Sequence, residues 1–268
     1  MMPELELSAD QLNFYNDNGY LVLRAQDHAL VSDAAELKTW ADQVLNWPLE
    51  KGKWMRYFEV SASGEKQPMR TENLVDYHEE LKRLMCGAGL ASILKQLTGQ
   101  DMLLFKDKIN HKLPNGNGFH AHVDYHGYSH VGEISHLTAN FAIDEAKIEN
   151  GCLEVVPGSH KMTIDFSNGG RISPGWEEAH QWTPVPLSPG DVLLFGSHLA
   201  HRSKGNNTDR SRTSLYATYY MAKDGDGLRQ KYYDHRRKVF PPDYEREQGN
   251  DNQQVWKTYA YAAPFAST

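Results

Sequence analysis

The densest run of possible metal ligands in the chain is Phe119-His120-Ala121-His122-Val123-Asp124-Tyr125-His126. On an extended strand, side chains alternate between faces, so His120, His122 and Asp124 would share one face and Phe119, Ala121 and Val123 the other. An imidazole and a carboxylate two residues apart on one face can reach the same metal ion. One histidine from a distant strand would complete a 2-His-1-carboxylate facial triad, leaving three positions on iron(II) for a co-substrate and dioxygen. Taken alone, an HxD pair is a weak sign in a chain with 13 histidines, since a polar pair on a solvated strand looks the same. The distant histidine has a candidate. Ser188-Pro189-Gly190 reads as a turn and Asp191 to Phe195 as a strand, and His201 follows closely, with His198 as its competitor. Further on, before the strand-like run SLYATYY, Arg212 could pair in bidentate fashion with the carboxylate of a bound co-substrate. Arg210 would share its face, so spacing does not separate the two.

These groups need rigid elements behind them. Ser8 and Gln11 form a capping-box pattern ahead of Leu12 and Tyr15, and Gly19 suits a left-handed helix end. Tyr20 to Leu23 then reads as a short buried strand. Residues 33–47 have helical apolar spacing, and residues 77–98 also look helical, so residues 1–100 read as mainly helical with a strand or two. From about Met102 the pattern changes to short apolar runs broken by Gly, Pro and Asn: MLLF, LTANFAI, CLEVV, DVLLF, SLYATYY. Strands at this spacing indicate a sandwich or barrel over residues 101–222. Residues 223–268 form a polar tail in which Arg229, Arg236, Arg237 and Lys238 read as a solvated face. With no internal repeat and no low-complexity linker, residues 1–268 are expected to be one domain.

Composition narrows the class. The chain has 268 residues, 40% apolar and 24% charged, with a formal net charge of −7. A general nucleic-acid binder would carry a basic patch to displace counterions, so that class is disfavoured. Two cysteines, Cys86 and Cys152, cannot build a disulfide framework and point to a reducing compartment. The N-terminal residues show no secretory pattern, and no apolar run approaches a membrane span. The expectation is a cytoplasmic protein with a small-molecule partner, no nucleic-acid partner and no membrane partner. Cys152 is expected to be a small core residue.

The sequence resembles the phytanoyl-CoA dioxygenase family of iron(II)/2-oxoglutarate oxygenases over nearly its whole length. LSADQLNFYNDNGYLVLR is similar to the family's leading helix and strand, and His122-x-Asp124 to its metal-binding HxD. ENGCLEVVPGSHK, PLSPGDVLLFGSHLAHRS and NNTDRSR follow in matching order. The resemblance implies a mainly β fold with flanking helices around a double-stranded β-helix, the jelly-roll or cupin-like core. It implies that His122, Asp124 and His201 bind Fe(2+), and that Arg212 anchors the distal carboxylate of 2-oxoglutarate with Ser203 beside it. Asn110 falls at a position that contacts 2-oxoglutarate in the similar ectoine hydroxylases, and Lys108, which falls where those enzymes have an arginine, joins it in the expected 2-oxoglutarate set. Asp124 occupies the carboxylate position, which disfavours the halogenase variant. The implied reaction consumes O2 and 2-oxoglutarate, releases succinate and CO2, and hydroxylates a C–H bond of a small molecule.

His120, His126, Tyr125 and Tyr128 adjoin the HxD pair and are candidate substrate contacts, against the blander reading of surface or packing residues. Lys108, the His120/His126 pair and the arginines of the tail tilt the substrate towards a small polar or anionic metabolite. Desaturation or cyclisation by the same cofactors is the alternative outcome. Two rivals come from other classes. HAHVDYH superficially resembles the HxHxDH of zinc hydrolases, but the extra Tyr125 breaks that motif. A non-catalytic jelly-roll binding protein would not need the triad and Arg212 together.

Overall fold

The computed structural model describes residues 5–128, 130–132, 134–167, 170–246 and 261–265. The part of the tail at 247–260 and 266–268 lies outside them. In chain order the elements are α1 (Ala9–Asn18), β1 (Tyr20–Leu23), α2 (Ala34–Leu45), β2 (Met55–Val60), β3 (Lys66–Glu72), α3 (Glu79–Met85), α4 (Ala88–Thr98) and β4 (Met102–Lys112). There follow β5 (Phe119–His122), β6 (His136–Ala142), β7 (Leu153–Val155), α5 (Pro174–Ala179), β8 (Thr183–Val185), β9 (Val192–Gly196), β10 (His201–Ser203), β11 (Arg212–Met221) and α6 (Leu228–Val239).

The start behaves as its residues dictate. The Ser8 hydroxyl accepts from the Gln11 amide while the Gln11 side chain accepts from the Ser8 amide, a reciprocal cap that stabilises the helix by about 1 kcal/mol. Gly19, at φ 80°, ends α1 and turns the chain directly into β1.

Two antiparallel sheets form the jelly roll: a seven-stranded one in the order β1-β9-β6-β11-β4-β3-β2 and a four-stranded one in the order β5-β10-β7-β8. Strand alternation gives the large sheet two different faces. Ile109, Leu137, Phe141, Leu194, Leu215 and Ala217 point outward and pack beneath α1–α4 against Leu37, Val44, Leu81 and Ile93. The inner face meets the small sheet through Leu193, Phe195 and Tyr216 against Leu153, Val155 and Val185, and Cys152 is buried in the same layer. Both faces of β11 are therefore covered, and nine of its ten residues are buried.

Four local expectations are corrected. The hairpin β2–β3 makes the N-terminal part less helical than its sequence suggests. Its inward and outward faces both bury charged or polar groups, among them Arg56, Glu59, Arg70 and Glu72, so the apolar alternation that signals a strand is lost. Residues 77–98 break at Cys86-Gly87 into α3 and α4, where Gly87 is extended (φ −77°, ψ 154°) and an added Cβ would sit 2.4 Å from the Arg83 carbonyl oxygen. Strand β5 ends at His122, and Asp124 instead starts a single 3-10 turn, Asp124–Gly127. The tail contains α6, where Arg236 is fully buried rather than solvated, because Glu72 supplies a partner inside the protein.

Candidate functional site

His122 and His201 are brought together by strand register: β5 and β10 pair antiparallel with His122 directly opposite His201. Their ring centroids are 4.1 Å apart. The turn that follows β5 swings Asp124 back, placing its Oδ1 3.8 Å from His122 Nε2 and 4.0 Å from His201 Nε2. Ligand atoms of all three residues lie within 4.8 Å of one another. Both imidazoles are oriented by a hydrogen bond to the backbone two residues earlier, His122 Nδ1 to the His120 carbonyl (2.6 Å) and His201 Nδ1 to the Leu199 carbonyl (2.9 Å). That bond places the proton on Nδ1 and leaves the Nε2 lone pair facing the cluster, as a metal-binding histidine requires. Burial, aided by the neighbouring His201, pushes the His122 pKa down to about 3, so the ring is neutral. Burial opposes ionisation of Asp124, but His201, His122 and Lys108 outweigh it and hold the carboxyl below its ordinary value. Two imidazoles and an ionised carboxylate suit a divalent metal such as iron(II).

The cluster opens into a cavity between the sheets. Lys108, Asn110, Ser203 and Tyr128 line it, along with the triad. Arg212 is buried but does not itself line the cavity; it stands opposite Lys112 across the β11–β4 pair and on the same face as Ser214, which stands opposite Asn110. Its Nη1 reaches Ser214 Oγ at 3.4 Å, and its Nε has no hydrogen-bond partner. An arginine buried with an unsatisfied donor fits a carboxylate ligand. Its competitor Arg210 is exposed.

The other candidates scatter. His120 is exposed and Tyr125 stacks on His198 at 4.6 Å. That contact keeps His198 in a separate group from the triad. His126 packs edge-on against Phe166. None of these four lines the cavity, whereas Tyr128 does.

Several lining residues were not singled out from sequence: Arg70, Lys106, Tyr232 and Tyr261. Lys106 had a signal, because KDKINHK alternates and puts Lys106, Lys108, Asn110 and Lys112 on one strand face. Tyr261 had none. It folds back so that its hydroxyl donates to the Val123 carbonyl at 2.7 Å, and its ring lies 5.9 Å from that of His122.

A jelly roll with a His-x-Asp and distal His cluster opening on an inner cavity defines a non-haem metal oxygenase scaffold. Residues 15–214 match the phytanoyl-CoA dioxygenase (PhyH) family, and the chain belongs to that family. It is 40% identical over 241 residues to the dioxygenase lolE1 of Epichloe uncinata, covering 90% of this chain and 93% of the relative. It is 34% identical over 259 residues to a 2-aminoethylphosphonate dioxygenase of the uncultured bacterium HF130_AEPn_1, covering 96% and 97%. In fold it is similar to the crystal structure of EctD from S. alaskensis with 2-oxoglutarate and 5-hydroxyectoine, with a TM-score of 0.70, 23% identity, and 81% and 77% of the two chains covered. The protein is a non-haem iron(II)/2-oxoglutarate-dependent dioxygenase, which sets aside the zinc-hydrolase and non-catalytic readings. No helix among the described residues is long and apolar enough to cross a membrane.

Proposed function

We propose that this enzyme, acting as a single-domain cytoplasmic protein, hydroxylates a C–H bond of a small polar or anionic metabolite. In this reading His122, Asp124 and His201 hold Fe(2+). Arg212 anchors the distal carboxylate of 2-oxoglutarate, and Ser203 and Asn110 line its path from the metal. Together the bound iron and 2-oxoglutarate supply dioxygen activation, with 2-oxoglutarate leaving as succinate and CO2.

The chain's own part is positional. The His120 and Leu199 carbonyls keep Nε2 of both histidines free for the metal. Arg212, out of reach of any carboxylate among the described residues, offers its unsatisfied Nε to a ligand. Tyr261 and Tyr232 wall the cavity and help keep water from the reacting carbon. The observation that carries the reading is the convergence of three oriented ligands on one point at a cavity whose inner face is cationic. The relative named for 2-aminoethylphosphonate adds support for an anionic substrate.

Turnover under isotopically labelled dioxygen tests the outcome. Hydroxylation puts one labelled oxygen in the product and one in succinate. A product two hydrogens lighter and free of label would favour desaturation or cyclisation instead.

A further inference from the structure

The large sheet presents an unusual inner face at the cavity. Lys106 and Lys108 sit two residues apart on the inward side of β4, and Arg70 on β3 is the cross-strand partner of Asn110, one step along. All three line the cavity, and Asp124 is the sole carboxylate among its described lining residues. Behind them Glu72 receives Arg236 through Nε at 3.2 Å and Nη2 at 2.9 Å, with Arg70 at 3.3 Å and Lys106 at 3.6 Å. One carboxylate thus faces several cations, while Lys108 has no carboxylate within 4.0 Å among the described residues and rests over the Tyr216 ring at 4.8 Å.

Counting formal charges separates this group from the co-substrate. Iron(II), Asp124, 2-oxoglutarate and Arg212 sum to zero (+2 − 1 − 2 + 1). If Arg236 is assigned to Glu72, then Arg70, Lys106 and Lys108 remain as buried positive charge. Such a group is costly without a counter-ion. Without a counter-ion the lysines hold their protons less tightly: burial pushes the Lys106 pKa down to about 7, and burial with Arg70 and Lys106 alongside depresses that of Lys108 well below the ordinary value. The hydroxyls of Thr138 and Thr218, hydrogen-bonded to each other at 3.0 Å, lie on the same wall.

We infer that Arg70, Lys106 and Lys108 seat a dianionic tetrahedral headgroup, a phosphonate or phosphate monoester, on a short substrate. The inference rests on the proposed function and deepens it by naming the substrate class. The cations stand on the large sheet and the triad on the small one. Facing sheets lie about 10 Å apart, so a substrate seated on the cations with a C–H bond at the metal spans only a few bonds from headgroup to oxidised carbon.

The test uses protein loaded with iron(II) and 2-oxoglutarate without oxygen, titrated calorimetrically with ethylphosphonate, ethyl phosphate and the neutral butanamide. Both dianions, or one of them, should bind at least about tenfold tighter than butanamide. Lys108→Met and Lys106→Met should each weaken that binding about tenfold or more, as expected for losing a charge-assisted contact. Lys108→Arg should retain most of it. Whichever dianion binds tighter and yields succinate when oxygen is admitted identifies the ester or the phosphonate. If neither dianion outbinds butanamide in wild type, the seat is overturned, whatever the variants do. Loss of the 2-oxoglutarate charge-transfer band in Lys108→Met would overturn it too, by giving Lys108 to the co-substrate. Absence of that band in wild type would bring down the proposed function, and the seat with it.

Discussion

Arg236, on α6, and Glu72, on β3, form an ion pair with neither side chain more than 1% exposed. It ties the C-terminal helix to the wall of the cavity. Burial alone would raise the Glu72 pKa, but Arg236, Lys106 and Arg70 hold the carboxyl well below the carboxylate range. Removing Arg236 leaves the buried Glu72 carboxylate with only its longer contacts to Arg70 and Lys106. Arg236→Met should therefore cost about 3–5 kcal/mol of unfolding free energy, and Arg236→Met with Glu72→Gln should recover part of that loss. Urea unfolding of the two variants measures it. A single-variant cost below about 1 kcal/mol would mean that water or other groups satisfy Glu72.

His111 gives the fold a dependence on acid that does not involve the metal. It lies on the outward side of β4, 1% exposed, and its Nε2 has no hydrogen-bond partner. Burial first, then Arg56 and Lys38, push its pKa down to about 3. An unfolded histidine titrates near about 6.5. Between those values the unfolded chain binds a proton that the folded one refuses, so stability is full above about 6.5 and falls as the pH drops. His111→Leu should make the slope of unfolding free energy against pH shallower by about 1.4 kcal/mol per unit between about pH 6 and 4. Chemical denaturation across that range decides it. An unchanged slope would show that the folded protein accommodates the imidazolium.

How far the sequence could be read depends on where each signal lies. The triad was legible because HxD is local and the distal histidine follows a turn and an apolar strand. Asp124 joins the two histidines through a 3-10 turn and not by sharing a strand face with His122. The capping box of α1 and the strands β4, β6, β9 and β11 were readable for the same local reason. The β2–β3 hairpin was not, because its buried residues include Arg56, Glu59, Arg70 and Glu72, and burial of charge leaves no apolar period. The burial of Arg236 depends on a partner 164 residues away in sequence, which no window on the tail contains. His120, a candidate substrate contact, is exposed and does not line the cavity; strand alternation predicts a face without the sheet edge that exposes it.

Arg212 and Arg210 shared a face on paper, and the structure separates them by burial, Arg212 being 3% exposed and Arg210 exposed. If Arg212 anchors 2-oxoglutarate, Arg212→Lys should raise the KM for 2-oxoglutarate about tenfold or more, because an ammonium cannot reproduce a planar bidentate contact. Arg210→Ala should leave it within about twofold, as expected for an exposed substitution. Succinate release against 2-oxoglutarate concentration gives both values. Equal effects from the two variants would remove Arg212 from the co-substrate site.

The central claim is that His122, Asp124 and His201 hold iron(II) in a cluster that accepts 2-oxoglutarate, with Arg212 at its far end. Anaerobic protein loaded with iron(II) and then 2-oxoglutarate tests it through the weak visible charge-transfer band of the chelate. Wild type should develop the band. Asp124→Ala should lose it, and Arg212→Ala should need a far higher 2-oxoglutarate concentration to show it. A folded, iron-loaded wild type with no band, or an Asp124→Ala variant with the full band, would contradict the account.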